Sequence, residues 1–426
     1  MLGQSPVFGA ELRRLRMNAG LTLTAFAASV HYSKGQISKV ETGRKTPTAE
    51  FARLCDNALC ADGRLIRLAP PSPPRDEAGE RMTGTSVPRD TPSGRPPSRR
   101  QVMAMGASAI AVPGHVAGER PEPDLDLDLV SASRGLFDQY RRLGQLSPPG
   151  ALLPALAEQT RALGELSARC GGRTRAALLR LASRYAEFAG WMAQESGDDG
   201  AALRWTDEAV TLAHAAGDQD LSSYALTRKA LISYYQGDGV ATVQLAEGAL
   251  GSRLPYRIRA WAAQHVAQGH ALAGDMSTCL SHLDQARELF AADQPDPALP
   301  LLGATHLNDP VGMITAWCLV DLGAPQRAAR ALDQLCADIS AGASRTQARY
   351  GVRRALAHAM AGEPEHACAV ARPLLPAARA ADSATVRSDL RRLSRTLARF
   401  RSCVEVRRLV PDLTAALQPT YPSVHV

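Results

Sequence analysis

Three of the four lysines in this chain, Lys34, Lys39 and Lys45, fall within the stretch VHYSKGQISKVETGRK at residues 30–45. Elsewhere, with the exception of Lys229, the basic residues are arginines. Ammonium groups set among the hydroxyls of Ser33 and Ser38 and the amide of Gln36 can meet phosphate oxygens and base edges. The chemistry such a set supports is non-covalent binding of a polyanion. Charge is distributed to match. Residues 1–70 carry ten Lys/Arg against five Asp/Glu, residues 71–120 seven against five, and residues 121–426 thirty-two against thirty-two. A basic head on a neutral body attracts phosphate and displaces its counterions.

Catalytic constellations are missing from the sequence. It has no Walker A loop, no G-x-S-x-G and no H-E-x-x-H, and the histidines do not pair with carboxylates at metal-ligand spacing. His265 and His270 lie five apart on one helical run and share no face. The expectation is therefore a protein that is not an enzyme, with no catalytic residues, no metal and no cofactor. Eight scattered cysteines without a C-x-x-C pair read as reduced, mostly buried thiols of a cytoplasmic protein, associated with the nucleoid if it binds DNA. The opening residues contain no apolar signal-peptide core, and no run reaches the length of a membrane span.

Short helices must position the lysines. VFGAELRRLRMNAG places Phe8, Leu12 and Leu15 on one face and stops at Gly20. Thr22 caps a second helix that buries Phe26 and Val30. Ser33 caps a third, KGQISKVET, with Ile37 and Val40 inward, Lys34, Ser38 and Lys39 outward, and Gly43 as its end. TPTAEFARLCDNAL closes the bundle, capped by Thr46 or Thr48, with Phe51, Leu54 and Leu59 inward. Two helices joined by a few residues, the second polar and basic, form a helix-turn-helix whose second helix suits the major groove. Helix-start N–H groups near Thr22 and Ser33 can hold phosphates.

On LRRLRMNAGLT, Ala27, SKGQISKVETG and PTAEFARL, residues 7–68 resemble a Cro/C1-type (Xre-family) helix-turn-helix domain with a lambda-repressor-like bundle. The resemblance covers about 60 of the 426 residues. It implies DNA contacts at Lys34, Gly35, Gln36, Ser38 and Lys39, phosphate contacts from Arg44 and Lys45, and a structural ion pair between Arg16 and Glu41. The second helix of this family often opens with a DNA-contacting glutamine; here that residue is Leu23, and Gly35 brings no side chain to a usual base-reading position. The family also implies a double-stranded operator read by a homodimer.

Residues 71–124 are rich in proline and arginine and read as a flexible linker, dividing the chain into 1–70, 71–124 and 125–426. From residue 125 apolar residues recur at helical spacing, so the fold class is all-α. Glycines at 197, 237, 274, 323 and 362 each end a helix, 40, 37, 49 and 39 residues apart. That period is the signature of stacked helical hairpins and resembles a degenerate tetratricopeptide α-solenoid. Ala201, Ala202, Ala209, Ala271, Ala273 and Ala286 are the small residues expected between paired helices. A groove lined by Tyr185, Trp191, Tyr224, Arg228, Tyr234, Tyr235, Trp261 and His265 would take a peptide, small-molecule or protein ligand, although the same residues suit interhelix packing. Three functions compete: a DNA-binding regulator whose repeats sense a ligand, a constitutive regulator whose repeats only dimerise it, and an adaptor that no longer reads DNA. The linker implies heads loosely tethered until ligand or DNA orders them.

Overall fold

Glycine stops and side-chain caps set the helix ends of the head. The computed structural model describes residues 6–69, 125–297 and 299–418; the 71–124 stretch expected as a linker lies outside them. Helix α1 (Pro6–Asn18) ends before Gly20, which adopts φ +67°. Helix α2 (Leu23–Ser29) starts where the Thr22 hydroxyl accepts from the Ala25 N–H at 3.1 Å, and α3 (Lys34–Glu41) where Ser33 accepts from Gln36 at 3.2 Å. Helix α4 (Ala49–Ala58) is capped by Thr48. Helix α5 (Arg64–Leu68) begins over the buried Asp56 carboxylate, which accepts from Gly63 and Leu65 N–H at 2.7 and 2.8 Å. Phe8, Leu12, Phe26, Ala27, Val30, Ile37, Val40, Phe51 and Leu65 form the buried core between these helices.

Beyond the head, α6 (Leu125–Leu146) and α7 (Pro149–Ser167) lead into five helical hairpins. They are α8 (Gly172–Ser196) with α9 (Asp199–Ala215), α10 (Leu221–Gln236) with α11 (Gly239–Glu247), and α12 (Tyr256–Ala273) with α13 (Met276–Ala292). Next come α14 (Pro310–Asp321) with α15 (Pro325–Leu335), and α16 (Ser344–Met360) with α17 (Pro364–Ala371). Helices α18 (Leu375–Ala381), α19 (Ala384–Leu397) and α20 (Val404–Leu417) close the array. Among the described residues there are helices and no strands, and the fold is an all-α head followed by a helical repeat solenoid.

All five turn glycines take the left-handed conformation, with φ from +79° to +97°, which a side chain would strain. In the first three turns an aspartate follows and caps the next helix: Asp198, Asp238 and Asp275 accept from Ala201, Ala241 and Thr278 N–H. In the last two, Pro325 and Pro364 open the helix instead, with φ already set. Ala202, Ala209, Ala271 and Ala286 are buried between paired helices. Ala201 is half-buried, and Ala273, the last helical residue before the turn at Gly274, is exposed. The cysteines are all unpaired, and Cys55, Cys279, Cys318 and Cys368 are buried.

The loosely tethered head expected from the sequence is not what the structure shows. Three successive turn glycines of the array receive it. Gly274 lies against the Ile66 side chain, Gly323 against the Arg53 carbonyl, and Gly362 against the His31 ring; a Cβ at any of the three would collide. Asn57 donates to the Gly323 carbonyl at 2.7 Å. Arg399 pairs with Glu50 and lies 4.1 Å over the Tyr32 ring. Leu54, read from sequence as head core, is instead buried in the same cluster as Trp317 and Val320 of α14. Helix α4 thus has two buried faces, one for each domain.

Candidate nucleic-acid interface and ligand cleft

The docked face and the basic face of the head are different surfaces. Ile37 and Val40 fix α3 against the core, so residues 34, 35, 38 and 39 turn outward by helical periodicity. Lys34, Gly35 and Lys39 are exposed, while Gln36 and Ser38 are half-buried. Thr22 and Ser33, at the starts of α2 and α3, are exposed. Their helices begin with free N–H groups of the kind that hold phosphate oxygens. After Gly43 the chain folds back: Arg44 and Lys45 N–H both donate to the Lys39 carbonyl, at 2.8 and 3.1 Å. Both side chains are exposed beside the end of α3. Leu23, where the family often has glutamine, is half-buried against the head core.

One buried ion pair sets the pitch of this surface. Arg16 Nε and Nη2 donate to the two oxygens of Glu41 at 2.6 and 3.0 Å, and Nη1 donates to the Leu21 carbonyl at 2.7 Å. A planar guanidinium thus ties α1, the turn before α2 and the last residue of α3 into one unit. Gly9 allows α1 to cross α3 closely, since a Cβ there would run into the Val40 and Glu41 carbonyls.

Residues 7–69 match the family described as Helix-turn-helix domain. The transcriptional regulator ClgR of Mycobacterium tuberculosis, in strains CDC 1551 and H37Rv, is 38% identical to this chain over 90 residues. That match spans 73% of the relative and 21% of this chain. The chain belongs to the helix-turn-helix transcriptional regulators. No solved structure matches it.

In this regulator the repeat array holds a cleft partly open to solvent. Six of the eight aromatic and polar residues expected at a groove line it: Trp191, Tyr224, Arg228, Tyr235, Trp261 and His265. Two do not. Tyr185 is fully buried against Phe137 and donates to the Ser133 carbonyl at 3.1 Å, so it serves the packing of α6 on α8. Tyr234, one residue before Tyr235, is turned by the helix into the core, where it donates to Asp321 at 2.6 Å. Sequence reading missed Gln264, Gln268, Arg349, Tyr350 and Arg353, which also line the cleft. The signal was available: Arg345, Arg349 and Arg353 recur every four residues, hence on one face of α16.

The cleft is strongly polar beneath its rings. Arg353 Nε donates to Asp389 at 2.8 Å and Nη2 to the Tyr235 hydroxyl at 3.0 Å. Glu195 is buried between Arg349 and Arg345. Burial opposes its ionisation, but those guanidiniums and the Ser383 hydroxyl outweigh it and hold the carboxyl down at about 2. Burial pushes the His265 imidazole down to about 4, so it is neutral near pH 7 and bonds Gln268 through Nδ1 at 2.7 Å. Outside the cleft, histidine does meet carboxylates, contrary to expectation: His358 lies 2.6 Å from Glu363 and 3.0 Å from Asp333, with His366 against its ring. Both nitrogens of His358 are thereby engaged.

Proposed function

We propose that α3 enters the DNA major groove and that this regulator is of the Cro/C1 (Xre) type, reading a double-stranded operator as a homodimer. The observation that carries this is the placement of Lys34 and Lys39: both are exposed on α3, on a head whose other side is taken up by the array. In the proposal Lys34, Gly35, Gln36, Ser38 and Lys39 face the bases and groove walls. Thr22, Ser33, Arg44 and Lys45 face phosphates. Arg16 and Glu41 hold α3 at its angle without touching DNA. One helix reads too few base pairs for useful affinity, and two heads over half-sites about 34 Å apart remedy this. The division at 1–70, 71–124 and 125–426 is part of the reading, as is location in the cytoplasm on the nucleoid. No helix among the described residues is long and apolar enough to cross a membrane.

The same reading makes the tetratricopeptide-like array a sensor whose cleft takes a ligand. It is supported by six cleft-lining residues around polar groups that the fold has buried. Gel-shift titration of the full chain on its upstream DNA, across a salt series, tests the groove assignment. Lys34→Ala and Lys39→Ala are each expected to weaken binding and lower the salt slope by about one unit. Wild-type affinity and slope in both variants would remove α3 from the groove.

A further inference from the structure

We propose that the cleft binds a small organic acid, its carboxylate on Arg228 and its flat apolar body among Trp191, Trp261 and Tyr224. This rests on the reading of the array as a ligand sensor and names the ligand's chemistry. Arg228 is 3% exposed. Its Nη2 donates to the neutral Gln194 amide at 3.1 Å, and Trp191 covers its face at 4.4 Å. Nε and Nη1 have no partner. Guanidinium does not shed its proton at accessible pH, so burial without an anion leaves a standing cost. The other buried guanidiniums in this part of the array each reach a carboxylate: Arg353 pairs with Asp389, while Arg349 and Arg345 share the single carboxylate of Glu195. Among the described residues Arg228 has no carboxylate partner, and it lines the cleft.

Further unsatisfied groups belong to lining residues. Trp261 Nε1 and Arg349 Nε are buried donors without acceptors, against one buried acceptor without a donor, Gln264 Oε1. Donors in excess inside a low-dielectric site call for an anion. Arg228 is the one guanidinium there, among the described residues, with no carboxylate in reach, the rest of the excess positive charge being spread over Arg349 and Arg345 around Glu195. A singly charged carboxylate on Arg228 is therefore the ligand proposed, and phosphate the competing outcome of the test. Leu231, Leu307 and Ile314 complete an apolar lining of the kind small-molecule sites have. A peptide running along the array is disfavoured by the loop between α13 and α14. Arg141 donates to the carbonyls of Leu301 and Gly303 at 2.9 and 2.7 Å, and Arg257 to that of Leu302 at 2.9 Å. Gly303 is held against the Trp261 ring. This strap supplies Gly303, Ala304 and Leu307 to the cleft wall and limits the space to something short.

The test is thermal shift and calorimetry on the full chain without DNA, with millimolar cinnamate, benzoate and indole-3-acetate, their matched amides, and phenyl phosphate. Aryl carboxylates are expected to bind and raise Tm, with amides and phosphate inert. Arg228→Met is expected to weaken carboxylate binding by about tenfold or more, with an unliganded Tm at or above wild type, since an unmatched charge has been removed. Trp261→Phe, which deletes one N–H donor and keeps a ring, is expected to weaken it less. No carboxylate-selective shift, preference for phosphate, or loss of unliganded stability in Arg228→Met comparable to breaking a structural ion pair would each overturn the assignment. Gel shifts with and without the binding carboxylate separate the two readings. Binding that leaves DNA affinity unchanged retires the sensor and keeps the site, while absence of binding retires the site and leaves DNA recognition standing.

Discussion

Arg16 and Glu41 keep only 9% and 5% of their side chains exposed, in a head whose working surface depends on the angle of α3. Removing the arginine alone would strand a carboxylate in the core. A broken buried pair typically costs about 3 kcal/mol, a large share of the stability of so small a domain. Arg16→Ala is therefore expected to lower the head's calorimetric Tm strongly and weaken DNA binding, although Arg16 lies behind the proposed contact surface. Lys39→Ala, on the exposed face, is expected to leave Tm unmoved while it weakens binding. If Arg16→Ala melts like wild type, the ion pair is not the clamp described. Nothing in a 25-residue separation announces this pair; it was readable through resemblance alone. Tyr234 and Tyr235 show the converse limit. Adjacent and chemically identical, they point about 100° apart on one helix, and the sequence does not state how that helix is rotated within the array.

At the level of helices, the signals that could be read were local. Thr22, Ser33 and Thr48 mark helix starts, and the left-handed glycines mark stops, because each works through bonds within three or four residues of itself. The second face of α4 gave no such signal. Glu50, Arg53 and Asn57 look like an ordinary solvated stripe, and only their partners, supplied by turns some 260 to 350 residues later, make them an interface. The glycines at 274, 323 and 362 were legible as turns but not as a landing surface. Two further glycines separate close approach from idle space. At Gly9 a Cβ would strike backbone carbonyls of α3, whereas at Gly35 it would meet nothing within 4 Å. Gly9→Ala is expected to destabilise the head by about 2 kcal/mol, by overpacking a rigid crossing. Gly35→Ala is expected to stabilise it by about 0.5–1 kcal/mol through helix propensity. Urea denaturation of the two variants checks both signs, and a Gly9→Ala head as stable as wild type would mean the crossing is loose.

For the whole molecule the decisive feature is the charge set where head meets array. Arg399 pairs with Glu50, and Arg392 donates to Asp321 at 3.1 Å. Arg53 lies within the electrostatic reach of Asp321, Arg392 and Glu50, and His31 within that of Arg399. Burial and Arg399 lower the His31 imidazole from its usual 6.5. Burial disfavours ionisation of Glu50 and Asp321, yet Arg399 and Arg392 beside Glu50, and Arg392 and Arg53 beside Asp321, win and hold both carboxyls below their usual 4.5 and 3.8. His31 and Glu50, head residues lowered by array arginines, bind protons more readily once the head is released. Docking is thus complete above about 6.5, weakens as His31 begins to take up a proton, and weakens again as pH falls through the carboxylate range. Small-angle scattering of the full chain should show a radius of gyration that is flat from pH 8 to 7 and rises below about 6.5 as heads separate from arrays. His31→Gln is expected to delay the rise to the carboxylate range, and Glu50→Gln to expand the molecule already at pH 7 by leaving Arg399 without its anion. A radius that stays constant down to pH 5 in all three proteins would mean that the docked arrangement does not depend on these charges. Since Lys34, Gly35 and Lys39 are exposed in the docked form, release should leave the affinity of a single head for DNA as it was.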